Sequence, residues 1–294
     1  MATLRELKGR IGSVASSEKI TGAMKMISSA KMHKAEQALR RLLPFRNQIE
    51  TIISSLVTAD TEFTSPLLEV REVKSLAVVV FGSDDGLCGA YNVNIFKLLL
   101  HRIGEYRALY GENVDITVYP VGAKIMKAAL KIADRHIHVA VEPGVDSKTS
   151  GQGVKVFIDS LSRRFLSGEL DKVDTLYMSF HSVSRQRPKT EQLLPVSEAS
   201  FTALGDSKGS VRPYIFEPDA DTIFRSVLPM YLMAVMQDVF TENRASEQAA
   251  RVMAMQSAND NAKKLLEQLR LEYNKLRQQS ITTELLDILG GQIR

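Results

Sequence analysis

Gly82-Ser83-Asp84-Asp85-Gly86-Leu87-Cys88-Gly89 is where this chain concentrates residue types that could do chemistry. The stretch lies between an apolar run and an amphipathic one, the place a phosphate-cradling loop takes between a strand and a helix. It matches neither G-x-G-x-x-G nor G-x-x-x-x-G-K-S/T. Asp84 and Asp85 would also repel a phosphate where backbone amides should draw one in, so the glycines read as serving a tight, packed turn. Cys88 is the sole cysteine, which excludes an internal disulfide. With no recognisable histidine partner it reads as a packed thiol rather than a nucleophile. His136 and His138 would share one strand face, but two histidines without a clear third ligand are a weak metal signal. Carboxylates abound and no pair stands out as general acid and base. No active site is legible, and no cofactor or metal is expected.

The elements around these residues suggest a different kind of work. Residues 2–58 and 219–289 read as two very long helices, which at 1.5 Å per residue would reach roughly 80 and 105 Å. Rods of that length outrun any single core and must pair with each other or sit inside a partner. In the first, Leu7, Val14, Thr21, Ser28, Ala35, Leu42, Ile49 and Leu56 form a column at seven-residue spacing. Leu4 and Ile11 flank it early, and Ala38, Phe45 and Ile52 flank it late. This predicts a coiled-coil seam with a discontinuity between the two registers. In the second, Val252, Met255, Asn259, Ala262, Leu266, Leu269, Tyr273 and Leu276 alternate steps of three and four. Pro44 and Pro229 should bend their helices without ending them. The carboxylates around Asp219 suit a helix start, and Gly290-Gly291 a stop.

The middle alternates like an open parallel sheet. Strands are expected at 75–81, 115–121, 136–141, 175–183 and 191–195, and helices at 94–110, 123–131 and 154–166. Residues 200–210 read as the most mobile loop. The fold class expected is α/β: a long antiparallel coiled coil of the terminal helices plus a central Rossmann-like α/β domain. The expected division is 1–58 and 213–294 for the coiled-coil helices and 73–212 for the central domain.

Charge is uneven. Residues 1–46 hold ten Lys and Arg against three Glu, whereas 242–294 hold eight basic and seven acidic residues. A basic rod can attract nucleic acid or an acidic protein surface, or be an ordinary solvated face. The amphipathic pattern begins at Leu4 without a signal-like apolar region. The greasiest stretches, 76–81 and 228–236, fall short of the ~20 residues a bilayer requires. Any link to a membrane is therefore expected to run through another protein.

Three groups of residues carry a family resemblance. Ala245-Ser246-Glu247-Gln248-Ala249-Ala250-Arg251, Ala254-Met255, Asp260-Asn261, Tyr273-Asn274-Lys275, Arg277-Gln278 and Ile281-Thr282 resemble the C-terminal signature of the ATP synthase gamma subunits. Arg10-Ile11, Lys19-Ile20-Thr21, Ala23-Met24 and Ala30-Lys31-Met32 resemble that family's N-terminal signature. Asp85-Gly86-Leu87-Cys88-Gly89 followed by Asn92 resembles its internal motif.

The resemblance implies the central rotor shaft of the F1Fo ATP synthase, a non-catalytic subunit coupling proton-driven c-ring rotation to conformational cycling of the beta subunits. It implies a coiled coil inside a ring of three alpha and three beta subunits, and a foot that docks the epsilon subunit and the c-ring. Neither nucleic acid nor a direct membrane contact is implied. The complex would sit peripherally on the cytoplasmic face of the bacterial inner membrane. Met24, Lys25, Arg251, Arg277, Gln278, Thr282 and Asp287 correspond to beta-subunit contacts. Leu285, Leu286, Ile288 and Leu289 correspond to an apolar bearing tip, and Tyr214 and Glu217 to the foot surface facing epsilon and the c-ring. Two positions depart from the family pattern: Asp287 replaces a commoner Glu, and Lys25 stands where Glu or Gln is frequent. The rivals are a basic coiled-coil nucleic-acid-binding or scaffold protein, marked by salt-dependent DNA affinity, and an α/β enzyme with helical arms, marked by a convergent polar pocket.

Overall fold

The computed structural model describes residues 3–57, 65–197, 217 and 219–291. Residues 200–210, expected to be a mobile loop, lie outside the described residues, as does Tyr214. The first helix, α1, spans Leu4–Val57 without interruption. A 3-10 turn at Pro66–Leu68 leads into an alternating unit. Its elements are β1 (Ser75–Phe81), α2 (Tyr91–Tyr110), β2 (Asp115–Val121), α3 (Ala123–Ala129), β3 (Ile137–Val139), α4 (Gln152–Leu166), β4 (Lys172–Ser182) and β5 (Arg185–Leu194). The last helix, α5, covers Ala220–Gly291. Pro44 and Pro229 lie inside α1 and α5, and both helices run on through them. A proline removes one hydrogen bond, and side-chain packing on the rest of the helix outweighs that loss.

α1 and α5 lie antiparallel. The Asn259 side-chain amide donates to the Glu18 carbonyl at 2.7 Å and to the Thr21 hydroxyl at 3.3 Å. Much further along α1, Arg46 meets Asp238 at 3.1 Å. Gly22 lies opposite Asn259, where a Cβ would stand 3.3 Å from its amide nitrogen. On α5 the three-four column is the buried seam: Val252, Met255, Asn259, Leu266 and Leu269 are buried, with Ala262, Tyr273 and Leu276 half-buried.

On α1 the main column holds, but its flank differs from expectation. Phe45 is 54% exposed. Leu4, Ile11, Glu18, Lys25, Met32, Leu39, Arg46 and Ile53 are all buried or half-buried, and they keep the four-residue offset throughout. The four-residue column is therefore continuous along α1, with Ala38 and Ile52 half-buried beside it and only Phe45 of the expected late flank turned outward. Polar Glu18, Lys25 and Arg46 stand in this column, which shifted the apolar pattern onto the neighbouring Ala38, Phe45 and Ile52. Long polar side chains can occupy such sites by laying their stems along the seam.

The sheet order is β3-β2-β1-β4-β5. Neighbours are parallel except β5, which returns antiparallel to β4. β5 is longer than expected because its first residues, Arg185 to Gln192, are polar and lie on an open edge, where Pro188 is tolerated. β1 and most of β2 and β4 are buried on both faces, as their near-continuous apolar runs require, whereas the short edge strand β3 is exposed at His138. Val79, Phe81, Tyr119 and Tyr177 face α4, the start of α5, and Ile49, Ile53 and Leu56 at the end of α1. Val78, Val80, Val118 and Met178 face α2 and α3. Ile53 and Leu56 are fully buried, each contributing about 1.5–3 kcal/mol of apolar burial. The end of the rod is thus part of the core of the sheet.

Asp219 caps α5, accepting from the Thr222 amide and hydroxyl, both at 2.8 Å. That amide bond first, then the hydroxyl, holds its carboxyl below the ordinary value. One window of α5 is apolar and long enough to pass for a membrane span, which sequence reading had excluded on length. Half of that window is buried within the protein, so its apolarity belongs to the core.

Candidate functional site

In open α/β sheets, ligands bind outside the carboxyl ends of the strands at the point where the strand order reverses. Here that point lies between β1 and β4. It is filled by α5 itself. Asn243, wholly buried, donates to the Gly82 carbonyl at the end of β1 at 3.0 Å and accepts from the Tyr91 hydroxyl at 2.5 Å. Ser246, also wholly buried, donates to the Met178 carbonyl in β4 at 2.8 Å. The Glu242 carboxylate accepts from the Phe180 amide at 3.4 Å. Burial raises the Tyr91 phenol well above its ordinary pKa, so it stays a neutral donor. Gly82 leaves room for this junction, since a Cβ there would fall 2.6 Å from Ile125 Cβ.

The loops beside the crevice are gripped by the same helix. Arg244 donates to the Ser147 and Thr149 carbonyls at 3.4 and 3.0 Å. The Gln237 side-chain oxygen accepts from the Gly151 amide at 3.0 Å. Arg251 donates to the carbonyls of Gly86 and Asp85 at 3.1 and 3.2 Å and to Glu247 at 2.6 Å. Arg251 and Glu247 are both buried. Burial first pushes the Glu247 carboxyl up, and Arg251 pulls it back. Burial likewise depresses Arg244. α5 is therefore polar on many sides yet buried over 237–251, a combination that works only because its side chains find backbone partners.

The glycine-bearing loop is satisfied from within. Asp84 accepts from the Ala123 amide at the start of α3 at 3.0 Å and from the Ser147 hydroxyl at 2.6 Å. It occupies the place an anion would need. Ser83 and Asn92 close the turn on each other, with Asn92 donating to the Ser83 hydroxyl at 2.7 Å. The Cys88 thiol is buried, 3.4 Å from the Asn92 amide nitrogen and 3.7 Å from the Ser83 hydroxyl. His136 pairs with Asp115 at 2.9 Å, His138 is exposed, and among the described residues no group of metal ligands forms.

The other residues singled out by sequence fall in two regions. Met24 and Lys25 are half-buried on α1. Arg277, Gln278 and Thr282 are exposed on α5, where the Thr282 hydroxyl donates to the Gln278 carbonyl at 2.9 Å. Leu285, Leu286, Ile288 and Leu289 are exposed on its last turns. Asp287 lies in the same helix, and Glu217 is exposed just before it. Arg251 is a correction. Expected to face partner subunits, it is buried with its donors engaged inside the chain. It joins two motifs that sequence had treated separately, the C-terminal signature and the Asp85–Gly89 loop. Sequence reading missed Asn243, Ser246, Arg244, Tyr91 and Arg46. The available signal was a polar run, Thr241 to Glu247, inside a helix that otherwise needed an apolar stripe.

Residues 3–292 match the sequence profile of the ATP synthase family. The ATP synthase gamma chain of Phocaeicola vulgatus is 42% identical over 297 residues, covering 100% of both chains. That of Cupriavidus necator is 35% identical, covering 99% of each. Among solved structures, a chain of the Euglena gracilis mitochondrial ATP synthase OSCP/F1/c-ring assembly aligns with TM-score 0.66 at 20% identity, covering 98% of this chain and 93% of that one. A chain of the Tetrahymena thermophila mitochondrial ATP synthase central stalk/c-ring aligns with TM-score 0.57 at 23% identity, covering 81% and 99%. The solved structures share the fold, and the profile match together with relatives that cover the whole chain establishes that it belongs to the ATP synthase gamma chain family.

Proposed function

We propose that this chain is the rotating central stalk of an F-type ATP synthase, coupling rotation of a c-ring to conformational change in the catalytic subunits. The observation that carries this reading is a rod longer than its own partner helix. The register set by Asn259 and Arg46 leaves the last turns of α5 beyond the start of α1, and residues 281–286, 288 and 289 are exposed. Leu285, Leu286, Ile288 and Leu289 there suit an apolar sleeve, in which contact needs few directional bonds.

In this reading 1–58 and 213–294 form the shaft and 73–212 the foot. Three alpha and three beta subunits surround the shaft. A single asymmetric rod touches each catalytic subunit differently, so identical sites hold different states and rotation exchanges them. Met24, Lys25, Arg277, Gln278, Thr282 and Asp287 contact the beta subunits through weak, remakeable interactions. Tyr214 and Glu217 face epsilon and the c-ring, and the complex lies on the cytoplasmic face of the inner membrane. ATP chemistry takes place on the partners. The filled crevice supports a non-catalytic role for this chain.

The test is purification from native membranes through a tag on this chain, followed by ATP-driven rotation of a bead fixed to the foot. Recovery of ATPase activity and stepwise rotation is expected; an immobile bead on an active complex would overturn the reading. Within the same assay, Lys25→Glu should raise the rotation rate, because a cation on this basic helix adds attraction to an acidic partner surface that must be released at each step. An unchanged or lower rate would count against that contact.

A further inference from the structure

Two kinds of contact hold the shaft to the rest of the chain, and they differ in mechanical character. The core around Ile53, Leu56 and Phe240 is apolar, and the α1–α5 seam is largely so apart from the contacts of Asn259 and Arg46. Apolar contact is non-directional and resists separation far more than sliding. The contacts of α5 with the crevice are hydrogen bonds, which weaken steeply with angle. Those of Asn243 and Ser246 are buried, where leaving a polar group unpaired is costly.

We infer that Asn243 and Ser246, seated at the carboxyl ends of β1 and β4, are the torque-bearing joint that fixes the angle between foot and shaft. They are positioning residues, acting on catalysis only through the angle they hold. Three observations converge. Both side chains are wholly buried. They bond to backbone atoms of two different, adjacent strands, Gly82 of the β1 end and Met178 of β4, so a turn of α5 about its axis must break both. The flanking bonds of Gln237, Arg244 and Arg251 reach two further backbone segments, at 147–151 and at Asp85 and Gly86. At roughly 100° per residue these five side chains span about half the circumference of α5. The grip thus takes in one whole flank of the helix, opposite the α1 side. The crevice that serves ligand binding in related sheets serves here as a socket.

This inference rests on the rotor reading. It is tested in the assembled complex with the catalytic subunits anchored and a bead on the foot. With the motor stalled, Ser246→Ala and Asn243→Ala together should at least double the angular variance of the bead and lower the ratio of protons pumped to ATP hydrolysed. ATP hydrolysis itself should persist. Ile103→Ala, a cavity under the C-terminal half of α2, twelve residues along that helix from Tyr91, is the control for general destabilisation and should leave the variance unchanged. If the double variant does not assemble, Ser246→Ala alone is measured for a smaller increase. Unchanged variance in the assembled variant, or an equal increase in Ile103→Ala, would overturn the joint. A wild-type bead that does not rotate on ATP would overturn the rotor reading instead.

Discussion

Replacing Arg46 by methionine should lower the stability of the folded chain by about 3–5 kcal/mol, the range for removing one partner of a buried ion pair. Arg46 bridges three elements. It reaches Glu50 at 2.8 Å on its own helix, Asp238 at 3.1 Å on α5 and Glu191 at 3.7 Å on β5. Glu50 and Asp238 are buried. Burial alone would depress the guanidinium, but its hydrogen bonds to Glu50 and Asp238 hold it above its ordinary value. Methionine would match much of the stem while leaving those carboxylates without a cation.

The sign of the pH dependence follows from Asp238. Burial raises its carboxyl, and Arg46 pulls it partly back. A carboxyl with a raised folded pKa favours the folded state below its unfolded value of about 3.9, and that contribution is lost as pH rises through the folded pKa. Without Arg46 the rise should be larger. The deficit of Arg46→Met should therefore shrink as pH falls from about 8 toward about 5. Denaturant midpoints across that range measure it, and Asp238→Asn in the variant background should restore part of the loss. A deficit under about 1 kcal/mol, or one that grows on acidification, would contradict a charge-paired junction.

Arg251→Met carries the second large effect, also about 3–5 kcal/mol. It leaves Glu247 without its cation at a site where burial first, then the charges of Asp84 and Asp85, already push its carboxyl up, and frees the Asp85 and Gly86 carbonyls. Arg251→Lys should fail to rescue, because one ammonium cannot reproduce a planar fork shared between a carboxylate and two carbonyls. Glu247→Gln combined with Arg251→Met should recover stability. The thermal midpoint of the chain discriminates two roles for Arg251. An internal clamp predicts a large fall in the free chain. A residue facing partner subunits predicts an unchanged midpoint and an altered rotation rate only.

Periodicity made the two rods and the sheet legible before the structure. Apolar runs at 75–81 and 115–121 match β1 and β2, because strands buried on both faces cannot hide their pattern. The column Val252 to Leu276 is likewise the seam of α5. What failed did so where polar residues interrupt the apolar pattern, whether half-buried in a seam or exposed on an edge strand. Glu18, Lys25 and Arg46 stand in the flanking column of α1, so counting apolar residues displaced that column by one. Polar Arg185 to Gln192 hid most of β5. Asn243 and Ser246 could not be found from spacing, since their partners are backbone atoms more than sixty residues away. Arg251 was singled out by motif, but only burial revealed that it faces inward.

Asn259 sits in the seam opposite Gly22, with its amide on the Glu18 carbonyl. Repeating heptads offer equivalent pairings at every seventh residue, so two such helices could creep past each other by about 10 Å with little loss of apolar contact. A buried amide fitting a side-chain-free notch opposes that creep together with the Arg46–Asp238 pair, because a shifted amide would lie against hydrocarbon. The reach of the protruding tip is in this way set once, at folding, and cannot lengthen or shorten under axial thrust.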